Sequence, residues 1–187
     1  MTEQTQIRLM TAEEFATLPD DGKVYDLVDG VLVEVSRPKP IHGKLQRRLG
    51  ARLGDFVDER ELGEVVTDAG FILSRNPDKV RSPDVAYVSK ERAPAPNLDE
   101  YFTVAPDIAV EVVSTNDTTD EVLGKIEEYF AVGTRLVWIV YPERRKVYAY
   151  SSPNTVTIVP AEGTLSGGDV LPEFSLSLAD LFKGLDA

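Results

Sequence analysis

The chain has 187 residues, a net charge of -12, 42% hydrophobic and 28% charged residues. That size and balance predict a buried core in a single domain over residues 1–187 and argue against wholesale disorder. No apolar run approaches the roughly 20 residues of a bilayer span, so no membrane association is expected.

Met1–Gln6 lacks the basic-then-apolar pattern of a signal peptide. The absence of cysteine rules out disulfides and thiolate chemistry and fits a cytoplasmic protein. With His42 as the lone histidine and no cysteine, the composition argues against a conventional structural zinc site. A bound metal would rest on carboxylates and carbonyls, which suits magnesium, manganese or calcium. The acidic balance speaks against a passive nucleic-acid coat. Residues 37–60 depart from it, with seven basic side chains against three acidic ones, while the remainder carries -16.

Thr11-Ala12-Glu13-Glu14 is a capping-box pattern that opens a short helix ending near Pro19. Val24–Val28 and Val31–Val35 flank Asp29-Gly30, a strong hairpin signal. After Pro38 and Pro40 a helix begins near Ile41 or His42, carries Leu45, Leu49, Leu53 and Phe56 at helical spacing, and ends at Gly63. Lys44, Arg48 and Arg52 run one position ahead of that stripe. They form either a solvated flank or a phosphate-facing row.

Val65-Val66 and Phe71–Leu73 suggest strands, followed by a turn at Asn76–Asp78 and a strand entered at Asp84. A proline- and alanine-rich loop spans Arg92–Asn97, and a strand starting at Pro106 carries Glu111. Ser114–Thr119 offers several N-caps for a helix reaching about Val132, stopped by Gly133. Leu136–Val140 is a fully apolar strand, with further strands at Val147–Tyr150 and Val156–Val159. A Gly167-Gly168 turn and a short helix near Leu178–Phe182 close the chain. This reads as an α/β chain with a mixed sheet.

Glu111 is the hardest residue to dismiss. It stands inside Ile108-Ala109-Val110-Glu111-Val112-Val113, and burying a lone carboxylate costs several kcal/mol. Strand alternation places Asp107, Ala109, Glu111 and Val113 on one face, and Asp84 with Ala86 and Val88. Two acids on adjacent strands and Lys125 from the next helix suit metal-dependent phosphodiester cleavage. Asp84 and Glu111 would hold the metal, with the carbonyl following Glu111. Lys125 would stabilise phosphate charge or orient water. A structural Glu111–Lys125 ion pair satisfies the same residues, and both readings stand on chemistry alone. Asp107 reads as structural.

The matching segments are Tyr25–Gly30, His42, Ser82–Val85 and Pro106–Ser114, continuing through Asp120, Lys125, Tyr129, Gly133 and Trp138-Ile139-Val140. Their order, strand-Pro-Asp, strand-Glu, helix-Lys, resembles the PD-(D/E)-x-K nuclease superfamily. The wider pattern resembles its Uma-type restriction-endonuclease branch over nearly the whole chain. In the basic superfamily pattern the lysine follows the glutamate by two residues, where this chain has Val113. The Uma-type pattern takes it from the following helix, as Lys125. Asp26 stands where the family usually has glutamate, and Ser114-Thr115 where it has Ser-Pro.

The resemblance implies a restriction-endonuclease-like core, a mixed sheet flanked by helices with an N-terminal β-hairpin. It implies a magnesium-dependent endonuclease (manganese as substitute) acting on DNA with Asp84, Glu111 and Lys125 as its site. It also implies a homodimer, because double-strand cutting needs two sites. His42 would approach the site, although a lone histidine at a helix start more often makes a local hydrogen bond. Lys44, Arg48 and Arg52 would bind substrate phosphates. The alternatives are a non-catalytic nucleic-acid- or protein-binding module that keeps the fold, and a purely structural ion pair.

Overall fold

A capping box opens the first helix as predicted. Thr11 accepts from the Glu14 backbone N–H, the Glu14 carboxylate accepts from that of Thr11, and α1 covers Ala12–Ala16. The computed structural model describes residues 8–35, 38–93 and 100–185. The N-terminal hexapeptide, Arg37 and residues 94–97 of the predicted proline-rich loop lie outside them.

Strands β1 (Val24–Val28) and β2 (Val31–Val35) form the expected hairpin. Asp29 and Gly30 take φ of 51° and 75°, the backbone twist that two-residue hairpin turns require. A Cβ on Gly30 would lie 2.5 Å from that of Leu9.

Helix α2 (Pro40–Glu59) has its proline at the helix start and buries Leu45, Leu49, Leu53 and Val57. It stops before Gly63, which instead opens β3 (Gly63–Val66), where a Cβ would lie 2.1 Å from the Val88 carbonyl oxygen. Next come β4 (Phe71–Ser74), β5 (Lys79–Arg81) and β6 (Val85–Ser89). β5 has no counterpart in the sequence reading because Lys-Val-Arg is too short to show a period. β7 (Ile108–Val112), α3 (Thr119–Ala131) and β8 (Leu136–Tyr141) follow. Beyond them lie β9 (Lys146–Ser152) and β10 (Thr155–Val159), then β11 (Thr164–Ser166) and β12 (Ser175–Ser177), paired with each other, and α4 (Leu178–Leu181).

A six-stranded sheet runs β10-β9-β8-β7-β6-β3, and a four-stranded sheet β2-β1-β5-β4. In the larger sheet β7 and β8 are parallel and joined through α3, while the other pairs are antiparallel. Alternation divides its two faces. Val85, Val110, Val112 and Trp138 pack beneath the α2 leucines and Leu178, whereas Ala86, Ala109 and Ile139 pack against Ile126 and Tyr129 of α3. Each fully buried leucine contributes roughly 1.5–3 kcal/mol. Leu27 and Val80, paired across strands, join Ala12 in a third cluster that seats the hairpin on β5.

Asp107 is structural, as read from sequence. Its buried carboxylate accepts from the Ser89 N–H at 2.8 Å and from Arg92 at 3.0 Å.

Arg81 contacts both Glu128 and Asp26 at 2.8 Å, and Lys79 reaches Glu128 at the same distance. Burial raises the Glu128 carboxyl, but hydrogen bonds and charge from Arg81 and Lys79 outweigh it and hold the group below its usual range. The unfolded chain therefore takes up this proton before the folded one as pH falls. The stabilisation is complete above the ordinary glutamate value of about 4.3 and fades as pH drops through the lower folded value. Glu128→Gln is expected to lose about 1–2 kcal/mol in urea unfolding at neutral pH. The difference from wild type should shrink in acid. A constant difference down to about pH 2 would reject the assignment.

Candidate active site

The site starts from strand register. Val85 pairs with Val110 in the antiparallel β6–β7 ladder, so one step further opposes Asp84 to Glu111. Both lie on the face that carries Ala86 and Ala109, where opposed Cβ atoms stand about 4.5–5.5 Å apart. Asp84 Oδ2 accepts from the Val112 N–H at 2.6 Å, and Oδ1 faces His42 Nε2 at 3.2 Å. This corrects the local-hydrogen-bond reading of His42, whose partner comes from another element.

One turn along α2, Gln46 donates to the Asp84 carbonyl at 3.1 Å and to Asp68 Oδ2 at 2.6 Å. Glu111 is buried. Its Oε2 accepts from Lys125 Nζ and its Oε1 from the Tyr129 hydroxyl, each at 2.7 Å. His42, Asp68, Asp84, Glu111 and Lys125 line one cavity of about 370 Å³. A second cavity of about 280 Å³ also has Glu111, Lys125 and Asp26 in its wall.

Burial pushes the Glu111 carboxyl up and the Asp84 charge adds to this, against the opposing pull of Lys125. Burial works against the Lys125 ammonium, yet Glu111 holds its pKa above the usual lysine value. Burial likewise works against a charged His42, but the hydrogen bond and charge of Asp84 outweigh it and raise the imidazole. Burial raises Asp68 too, with Asp84 adding to the effect and Gln46 opposing it. These shifts share one origin, a concentration of negative charge around Asp84 and Glu111 in a poorly solvated place.

The donor set fits a small hard dication. Among the described residues no three His, Cys, Asp or Glu side chains form a ready metal cage. Magnesium is commonly held by one or two carboxylates, completed by water and substrate phosphate. Asp84 and Glu111 would supply that pair, and a dication would offset the Asp84 charge that adds to the effect of burial on Glu111.

The basic row does not share this location. At 100° per residue, Lys44, Arg48 and Arg52 fall on the flank of α2 remote from Gln46. Arg48 Nη1 donates to the carbonyls of Leu181 at 2.6 Å and Lys183 at 2.9 Å, at the end of α4. Arg48 thus anchors the C-terminal helix, and Lys44 and Arg52 are exposed on the same flank. Arg48→Gln should lower stability by about 1–2 kcal/mol. If Arg48 serves only that anchor, the salt dependence of any DNA binding stays unchanged, whereas a shallower salt slope would make it a phosphate contact.

Tyr129, Gln46 and Arg81 are site neighbours to which sequence reasoning gave no role, although Tyr129 stood among the residues that carry the resemblance. The signal for the first two was helical spacing, since Tyr129 follows Lys125 by one turn and Gln46 follows His42 by one turn. Arg81 lies in the short β5 and had no such signal.

Helices on both faces of a mixed sheet, with an N-terminal hairpin beside it, make this a restriction-endonuclease-like fold. The Uma2 family profile, described as "Putative restriction endonuclease", matches residues 12–179, and the chain belongs to that family. It is similar in structure to "a putative nuclease belonging to DUF820 from Anabaena variabilis ATCC 29413". The TM-score is 0.80 at 20% identity, over 92% of this chain and 97% of that one. At that identity the likeness is one of fold. The chain also matches the ribosome maturation factor RimM of Stenotrophomonas maltophilia (strain R551-3), at 31% identity over 88 residues, 47% of this chain. It spans about half of that relative's length, 49%. Among the described residues no helix is long and apolar enough to cross a membrane.

Proposed function

We propose that the chain is a divalent-metal-dependent endonuclease that hydrolyses DNA phosphodiester bonds. The observation that carries this reading is the convergence of Asp84 and Glu111 on one sheet face, lining one cavity with Lys125 on Glu111 Oε2. Asp84 and Glu111 would hold magnesium or manganese, which when bound polarises the phosphate and makes water more acidic.

The chain's own residues do the positioning. The Val112 N–H fixes one oxygen of Asp84 and His42 faces the other, while Gln46 ties the Asp84 backbone to Asp68. Tyr129 and Lys125 fix the two oxygens of Glu111. The Lys125 ammonium has three N–H donors and gives one to Glu111, so it can also meet phosphate charge. Cutting both strands requires two such sites, which a homodimer would provide.

A second reading rests on the saturation of Glu111, whose two oxygens are already engaged. On that reading the pair is structural and the fold is a non-catalytic binding module. Manganese titration by calorimetry, beside a supercoiled-plasmid nicking assay, separates the two. The nuclease reading expects one site per chain and metal-dependent nicking. Absence of both would leave the binding module.

A further inference from the structure

The hairpin has an unusual face. Its register pairs Val24 with Val35, Asp26 with Val33 and Val28 with Val31, so five valines and Asp26 point the same way. Leu27 and Leu32 point oppositely, into the cluster with Ala12 and Val80. Val24, Val31 and Val33 remain 50%, 51% and 43% exposed. Part of this wall, through Val28, Val33 and Val35, bounds the cavity of about 280 Å³, whose other side is formed by Val113, Val122 and Ile139.

Gly124 also lines that recess, inside α3. An interior helix glycine is less stable than alanine. Nothing lies within 4 Å of the place its Cβ would take. That open space borders the recess.

The chemistry of the wall restricts the occupant. Branched valines offer a stiff apolar surface with few rotamers to lose. Glu34, Asp117 and Glu121 line it beside Arg81 and Asn116, and the carboxylate oxygens not taken by Lys23, Ser114 and Thr118 can accept from exocyclic amines and ring N–H groups. The recess shares Glu111 and Lys125 with the cavity that holds Asp84. The two cavities are thus adjacent, and one molecule can reach both. Its volume is near the lower end, about 300 Å³, of pockets that enclose small molecules. A single flat heterocycle with polar edges meets all these conditions.

We propose that this recess receives the unstacked base of the deoxynucleotide next to the phosphate at Asp84 and Glu111. The preferred substrate is then DNA in which that base is unpaired, because extruding a paired base carries an unstacking cost. The proposal rests on the nuclease reading for the position of the phosphate.

The test uses short DNA strands carrying 2-aminopurine at successive positions, bound with calcium in place of magnesium, and the same strands cleaved with magnesium. Wild type should change the emission at one position, and both Gly124→Leu and Val33→Glu should remove that change. Gly124→Leu exchanges glycine for a better helix former, and Val33 is exposed, so neither variant removes core packing. Each should cleave the intact single strand about tenfold more slowly. A strand abasic at that position should be cleaved equally by variants and wild type. Wild type should also cut single strands about tenfold faster than matched duplex.

Equal cleavage of intact strands by variants and wild type, with no position-specific emission change, overturns the recess and leaves the nuclease reading standing. If wild type cuts no DNA with magnesium or manganese, the nuclease reading fails. The emission arm then decides alone: a change lost in both variants retains the base site, and no change overturns it.

Discussion

Glu111→Gln is expected to abolish plasmid nicking while the protein stays folded. The exchange keeps the volume and leaves an oxygen for Lys125, but it removes the charge with which Glu111 would bind a dication. Loss of an outer-shell partner typically lowers metal affinity or activity about 10- to 100-fold, and loss of a ligand charge should exceed that. The variant also loses a buried ion pair, for which about 3–5 kcal/mol is the upper range. Lys125 keeps a quarter of its side-chain surface in contact with solvent, so the expected cost is at the low end or below. Far-UV circular dichroism and a thermal melt establish that the variant is folded before nicking is compared. Wild-type nicking in a pure preparation would sink the catalytic role and leave Glu111 as the anchor of a structural pair.

Much of the architecture was legible because it depends on local rules. The capping box at Thr11, the Asp29-Gly30 turn, the leucine stripe of α2 and the apolar β8 each follow from a few neighbouring residues. The strand around Glu111 was legible for another reason, since an acid among β-branched residues is costly without a partner. Alternation sorted the faces within each strand, and only the ladder register brings Asp84 and Glu111 opposite each other on a common face.

Long-range contacts were less legible. The partners of Arg48 were hidden because sequence records charge but not what the helix lies beside. The Leu181 and Lys183 carbonyls that bind Arg48 belong to the far end of the chain. β5 escaped notice although it carries Arg81, which joins Asp26 in the hairpin to Glu128 on α3. His42 offered two readings, and only the approach of α2 to the start of β6 decides between them.

Lys125→Met should separate catalysis from metal binding, in a direction opposite to that of Glu111→Gln. The Lys125 ammonium lies 2.7 Å from Glu111 Oε2 and so competes with any cation for that oxygen. Removing it leaves the Asp84–Glu111 pair more negative, so manganese affinity should be retained or increased. Cleavage should nevertheless fall by about 10²–10³, the usual effect of deleting a preorganised donor to developing negative charge. Without metal the variant is expected to melt below wild type, because Glu111 keeps the Tyr129 hydroxyl but loses its cation. Added manganese should restore stability in proportion to the logarithm of its concentration above the dissociation constant. Glu111→Gln should show no such rescue. If Lys125→Met nicks plasmid at the wild-type rate, the lysine has no part in the chemistry. If it loses metal binding as well, the ammonium organises the carboxylates rather than the phosphate, and the charge-stabilising role assigned to it fails.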